Sequence, residues 1–251
     1  MVGIVGYGHV GKAMEKLFKD AVIYDLKLGI GSKEAINSCN IAFVCVPTPM
    51  ASDGSCDTTC VDDVLSWLES NVVVIRSTVP VGYTKIKSME LKKRIVFQPE
   101  YFGETVNHPF ADLNNREWIV LGGNKSDVKL VIKEYQKVYT ANIKIIKTDS
   151  DTAELAKYME NAFLAVKVSF CNEFYDIAAA YGIDYDQLRE IWLMDPRINR
   201  SHTFVYDDHR GYGGSCLPKD MFAIQSIATK AGVSCEIIDA SIMKNKKYQQ
   251  K

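Results

Sequence analysis

The sequence predicts an α/β protein: a doubly wound sheet over residues 1–150, then an all-α region over residues 151–251 built on one long helix. Three observations carry this. Short β-type runs alternate with amphipathic stretches through the first 150 residues. A glycine-rich turn follows the first run directly. After residue 151, one helical pattern continues for about thirty residues without a proline or glycine.

The expected strands are Val2–Val5, Val22–Asp25, Ile41–Val46, Val72–Arg76, Ile95–Gln98, Trp118–Gly122 and Ile143–Ile146. Helical patterns lie between them at Lys12–Lys19, Thr59–Glu69 and Ser126–Val138, which argues for a parallel sheet with helices on both faces. After the first strand comes Gly6-Tyr7-Gly8-His9-Val10-Gly11, a G-x-G-x-x-G run. Gly6 permits the tight turn, Gly8 lets a pyrophosphate approach the backbone, and Gly11 lets the helix pack closely on the strand. His9 and Val10 complete this cofactor loop, His9 as a spacer rather than a catalyst. Asp25 lies 19 residues after Gly6, where an acid accepts hydrogen bonds from the ribose hydroxyls. It would repel a 2′-phosphate, so this Rossmann-type domain is expected to bind NAD rather than NADP.

The long helix is expected at Thr152–Tyr181, about 45 Å in length. Leu155, Tyr158, Met159, Ala162, Phe163, Val166, Phe170 and Phe174 recur along it at three- and four-residue spacing. These are more apolar positions than one buried face needs, so a homodimer through 152–181 is expected. Further helices are expected at Tyr185–Met194, Pro218–Ala231 and Cys235–Asn245. The loop between Asp195 and Ser215 is long enough to suggest a functional role.

The most informative run is Gly211-Tyr212-Gly213-Gly214-Ser215-Cys216-Leu217-Pro218-Lys219-Asp220. It places a thiol between a glycine-rich loop and a helix whose first turn suits Pro218. The positive end of that helix and the Lys219 charge both favour a thiolate, the nucleophilic form. Asp220 falls on the same face one turn later. Lys157 and Asn161 share a face of the long helix, and an ammonium with an amide donor suits an oxyanion formed on sulfur. Glu104 is a candidate base, since an ionised carboxylate is acceptor-only.

Composition narrows the classes. The 251 residues carry 30 basic and 31 acidic side chains, a formal net charge of −1, which gives no sign of a nucleic-acid or membrane-surface partner. No apolar stretch approaches the length that spans a bilayer. Seven cysteines without framework spacing suggest free thiols in a reducing cytoplasm. Cys56 and Cys60 lack the further ligands of a tetrahedral site, so no metal is expected.

With these motifs in order, the sequence resembles the UDP-glucose/GDP-mannose dehydrogenase family over essentially its whole length. The matching segments are Gly6–Gly11, Val46-Pro47-Thr48-Pro49, Asp53-Gly54-Ser55, the run from Ser77 to Gly82 and Pro99-Glu100-Tyr101-Phe102-Gly103-Glu104. They continue with the run from Glu154 to Asn161, Asp195-Pro196-Arg197-Ile198 and Gly211–Asp220. The resemblance implies a four-electron oxidation of a nucleotide sugar's primary alcohol to a carboxylate with two NAD in succession, in a role such as polysaccharide biosynthesis. It makes Cys216 the nucleophile, Lys157 and Asn161 the oxyanion donors, and Asp220 a proton-transfer group. Glu104 and Thr78 would place water, and Thr48, Thr78, Glu104 and Lys219 would line the NAD site. Glu100, Tyr101, Phe102, Glu104, Lys157, Asn161, Tyr206 and Gly213 would contact the sugar nucleotide.

The sequence departs from the family in three ways. The usual C-terminal nucleotide-binding domain is expected to be missing, the stretch between Asp25 and Ile41 is short, and Gly103 stands where an arginine is usual. Two other readings fit parts of the pattern: an NAD-binding module that needs a partner for activity, and a two-electron dehydrogenase of the 3-hydroxyacid type, which needs no thiol.

Overall fold

A computed structural model describes residues 1–101, 112–139 and 143–250. The chain forms two compact units, one of residues 1–49 with 56–157 and one of residues 50–55 with 158–251.

The first unit is built on seven strands: β1 (Val2–Val5), β2 (Val22–Tyr24), β3 (Ile41–Val44), β4 (Val72–Ile75), β5 (Ile95–Phe97), β6 (Trp118–Gly122) and β7 (Lys144–Thr148). Their order in the sheet is β2-β1-β3-β4-β5-β6-β7. β1, β3 and β4 are buried throughout, as near-continuous apolar runs in a sheet covered on both faces should be. Successive residues serve opposite faces. Ile4, Phe43 and Val74 join the core under α1 (His9–Leu17) and α5 (Lys125–Tyr135). Val5, Val44 and Ile75 join the core under α3 (Thr59–Trp67).

Two details add to the expected parallel sheet with helices on both faces. β6 runs antiparallel to β5, meeting it at Phe97 and Gly122, while the other neighbours are parallel. A parallel return needs a crossover of a dozen or more residues, usually a helix. Among the described residues between β5 and β6, the helical structure is a single 3-10 turn, Leu113–Asn115. Two further helices are present, α2 (Lys33–Asn37) and α4 (Tyr83–Leu91). α2 is the shortened element anticipated between Asp25 and Ile41. Its Ser32 side chain caps it by accepting from the Ala35 backbone N–H.

The second unit is helical. α6 (Ser150–Ala180) begins in the first unit and continues through the second, accompanied by α7 (Tyr185–Trp192), α8 (Leu217–Lys230) and α9 (Glu236–Gln249). Ala162, Ala165, Tyr212, Met221 and Ile242 form the core shared by α6, α8 and α9. No described helix is long and apolar enough to cross a membrane.

Candidate active site

The chain reverses its direction of sheet growth at β1, which has β2 on one side and β3 on the other. Ligands of open α/β sheets bind in the crevice such a switch leaves beyond the strand carboxyl ends. The predicted cofactor residues of this unit follow those ends in turn: Gly6–Gly11 after β1, Asp25 after β2, Thr48 after β3 and Thr78 after β4.

Each glycine of the loop has its own reason. Gly6 has φ +91°, and a Cβ there would lie 2.8 Å from the Cys45 carbonyl oxygen. A Cβ on Gly11 would lie 2.0 Å from the Gly6 carbonyl oxygen, so only glycine lets α1 start so close to β1. A Cβ on Gly8 would meet nothing within 4 Å. Gly8 is also the N-cap of α1 and supplies no side-chain cap, so no side chain blocks the first-turn N–H groups that suit a pyrophosphate. His9 is exposed and Val10 half-buried in the first turn of the helix.

Asp25 accepts from the backbone N–H of Tyr7 at 2.7 Å and of Leu28 at 2.9 Å. The Tyr7 bond above all holds its carboxyl below the usual aspartate range. The carboxylate thus ties β2 to the glycine loop and keeps lone pairs for ribose hydroxyls. The residues present fit NAD.

The loops after β3 and β4 are fastened together, the Ser77 hydroxyl donating to the Val46 carbonyl at 2.6 Å. Thr48 is buried and Thr78 half-buried, and the Thr78 carbonyl accepts from the Cys56 thiol. The far end of the β4 loop is held by Glu154, a residue that sequence reasoning quoted without giving a role. The backbone N–H groups of Gly82 and Thr84 donate to its two carboxyl oxygens at 2.6 and 2.9 Å, capping α4. Burial raises its pKa from the ordinary 4.5 to about 7.

The folded chain therefore holds this proton where the unfolded chain has released it. Glu154 makes the fold less stable as pH rises from about 4.5 to about 7, by on the order of 3 kcal/mol over that window. Glu154→Gln is expected to flatten that slope in a series of thermal melts against pH. An unchanged slope would show that Glu154 is not its source.

Glu100 follows β5 and pairs with two buried guanidiniums, Arg76 and Arg116, the latter at 3.0 Å. Neither arginine was singled out in the sequence, where Arg76 looks like the polar end of an apolar strand. Lys157, buried on α6, lies over the Tyr101 ring at 5.0 Å from its centroid. Phe102 and Glu104 lie outside the described residues.

In the second unit Cys216 is exposed and occupies the N-cap of α8, with Pro218 in the first turn. Its carbonyl accepts from the Asp220 backbone N–H at 2.9 Å. Asp220 is 1% exposed, and its carboxylate takes both the Asn161 side-chain amide and the Lys219 ammonium, each at 2.5 Å. The fold thus brings Asn161, Lys219 and Asp220 together one helical turn from the thiol. Gly213 is exposed in the loop before it, and Tyr206 is exposed and stacked with Phe204.

The first unit thus carries a dinucleotide loop, and the second carries a thiol one turn from a buried carboxylate with amide and ammonium donors. Residues 9–143 match the NAD binding domain of the UDP-glucose/GDP-mannose dehydrogenase family, and residues 151–247 match its central domain. The chain belongs to that family. NAD is accordingly the cofactor of its first unit.

The chain is 33% identical over 228 residues to the UDP-glucose 6-dehydrogenase TuaD of Bacillus subtilis, covering 86% of this chain and 48% of that protein. The chain spans about half the length of the curated relatives it matches. Among solved structures, the UDP-glucose dehydrogenase of Pyrobaculum islandicum superposes with a TM-score of 0.86 at 25% identity, over 98% of this chain and 68% of that one. The 3-hydroxyisobutyrate dehydrogenase of Mycobacterium tuberculosis shares the fold, with a TM-score of 0.74 at 15% identity over 100% of this chain and 94% of that one.

Proposed function

We propose that this family member oxidises the primary alcohol of a nucleotide sugar, UDP-glucose or a close relative, to the carboxylate in two NAD-dependent steps. The observation that carries the reading is the exposed Cys216 thiol at the α8 N-terminus, one turn from a buried Asp220 bonded to Asn161 and Lys219. A two-electron oxidation has no use for that thiol.

Bound NAD supplies the hydride acceptor for each step. In the first, the alcohol loses a hydride and a proton and becomes an aldehyde. The Cys216 thiolate then adds to the aldehyde carbon, forming a C–S bond and a tetrahedral oxyanion, for which Lys157 and Asn161 are the donors. Loss of a second hydride leaves a thioester. Water, placed by Thr78 and Glu104, attacks that carbonyl, the C–S bond breaks, and carboxylate and thiol are released. Asp220 is the proton-transfer group throughout, held in place by its two donors.

Thr48, Thr78 and Lys219 serve the cofactor, while Glu100, Tyr101, Phe102, Glu104, Tyr206 and Gly213 serve the sugar nucleotide. Residues 1–150 act as the cofactor domain and 151–251 as the helical catalytic domain. The reading is of a cytoplasmic enzyme.

The same reading includes a homodimer through α6. Met159, Phe163, Phe170, Phe174 and Ile177 are all exposed and recur on that helix at three-, four- and seven-residue steps. Sedimentation equilibrium is expected to give a dimer, with Phe163→Glu shifting it toward monomer. A clean monomer at high concentration would remove the dimer from the account.

The function is tested by incubating the purified chain with NAD and a panel of UDP- and GDP-sugars and following absorbance at 340 nm. Turnover with one of the sugars is expected. NAD binding without turnover would instead favour a module that needs a partner chain.

A further inference from the structure

The approach to the Cys216 loop is held by side chains that the reaction itself does not use. Arg210 lies between two aromatic rings, its guanidinium carbon 4.5 Å from the Tyr175 centroid and 4.9 Å from the Tyr248 centroid. Its Nε donates to Asn172 Oδ1 at 2.8 Å, and its Nη2 donates to the Asn172 carbonyl and to Asp176 Oδ1. The Tyr248 hydroxyl donates to the other Asp176 oxygen. Every strong donor direction of the guanidinium on this side thus ends on α6, while one of its two stacking partners comes from α9.

The next two residues are held by two buried asparagines. Asn172 Oδ1 also accepts from the Gly211 backbone N–H at 3.1 Å, and Asn172 Nδ2 donates to the Val168 carbonyl, which fixes the orientation of the amide. Asn245 meets Tyr212 twice: its Oδ1 accepts from the Tyr212 N–H at 2.7 Å and its Nδ2 donates to the Tyr212 carbonyl at 3.0 Å. It answers the backbone as a neighbouring strand would. The fit is close at Gly211, which has φ +78°, and a Cβ there would lie 2.3 Å from Asn245 Oδ1. The Tyr212 ring is buried in the core shared by α6, α8 and α9.

Beyond Tyr212 the support stops and then resumes. Gly213 and Gly214 have nothing within 4 Å of a Cβ position, and Gly214 has φ +77°. Cys216 follows directly, at the cap of α8, whose Met221 is packed in the same core. A free glycine pair between fixed ends is a short arm whose reach is set by its anchors. Loss of the anchor at 210–212 frees the arm, and the Cys216 cap at its end, to move while the body of α8 stays folded.

We propose that Asn172, Asn245 and Arg210 are positioning residues that lock the entry of the glycine loop to α6 and α9 and thereby fix where the Cys216 thiol is presented. The role rests on the reading of Cys216 as the nucleophile. It acts on rate through pre-organisation, because an arm already ordered loses no freedom in the transition state.

Asn245→Asp is the sharpest variant. It keeps the shape and the acceptor for the Tyr212 N–H but sets a carboxylate oxygen against the Tyr212 carbonyl. In the full chain, kcat is expected to fall at least tenfold while KM for NAD stays within twofold. Without any substrate, alkylation of Cys216 by iodoacetamide at pH 7, read by peptide mass, is expected to slow at least fivefold. The loosened arm no longer keeps the sulfur at the start of α8. Arg210→Met, at a partly exposed site, is expected to shift both readouts in the same direction and serves if Asn245→Asp does not fold.

A folded variant with a lower melting temperature but unchanged kcat and alkylation rate would reduce the clamp to a stability element and overturn the proposal. If the wild-type chain shows no turnover, the proposed function fails on that point alone. The alkylation comparison then still decides the clamp.

Discussion

Gly11→Ala is expected to destabilise the first unit by about 3 kcal/mol and to raise the Kd for NAD at least 100-fold. The added methyl would lie 2.0 Å from the Gly6 carbonyl oxygen and 3.0 Å from its carbon, which are backbone atoms and not the end of a flexible side chain. Gly6 is itself tied down, its backbone N–H donating to the Tyr24 carbonyl at 2.8 Å. The remaining escape is for α1 to move off β1, which swings the first-turn N–H groups away from the phosphate position and opens the core around Ala13 and Met14. Gly8→Ala is the control. Its methyl meets nothing in the protein, so stability should hold within about 0.5 kcal/mol while NAD binding weakens. Denaturant melts and calorimetric titration separate the two effects. Full NAD affinity in Gly8→Ala would place the pyrophosphate somewhere other than this loop.

Cys216→Ala is expected to abolish carboxylate formation, lowering its rate by a factor of at least about 1,000. The thiol is exposed, so its removal leaves no buried hole, and thermal stability and NAD affinity should be unchanged. Asp220→Ala would be a poorer probe of the chemistry. It strands a buried asparagine amide and a lysine ammonium, and a cost of about 3 kcal/mol would confuse a kinetic loss with partial unfolding. Carboxylate produced by folded Cys216→Ala at the wild-type rate would eliminate the thioester route.

Much of this was legible in the sequence, because the relevant constraints are local. The strands β1, β3 and β4 are apolar runs that need no partner to be recognised, and the two glycine loops carry their meaning in consecutive residues. α6 was legible because thirty residues without a breaker leave one choice. What the sequence hid is set by distant contacts. α4 buries only Tyr83 and Thr84, so it has no apolar stripe to read, and the cap on its start comes from Glu154, seventy residues away. The reversal at β6 depends on the route taken by the preceding segment, which no periodicity reports. Glu100 was read by its place in a motif, whereas the fold surrounds its carboxylate with Arg76 and Arg116. Asn172 and Asn245 fall inside the expected helical ranges, and only folding turns their amides onto the loop before Cys216.

The central claim is that one nucleotide sugar is oxidised twice at a single thiol. The measurement that tests it most directly is the ratio of NADH formed to nucleotide sugar consumed, taken to completion with the purified chain. Two NADH per sugar, with the sugar recovered as its uronate, is the predicted result. One NADH per sugar, with the product left as an aldehyde or ketone, would contradict it.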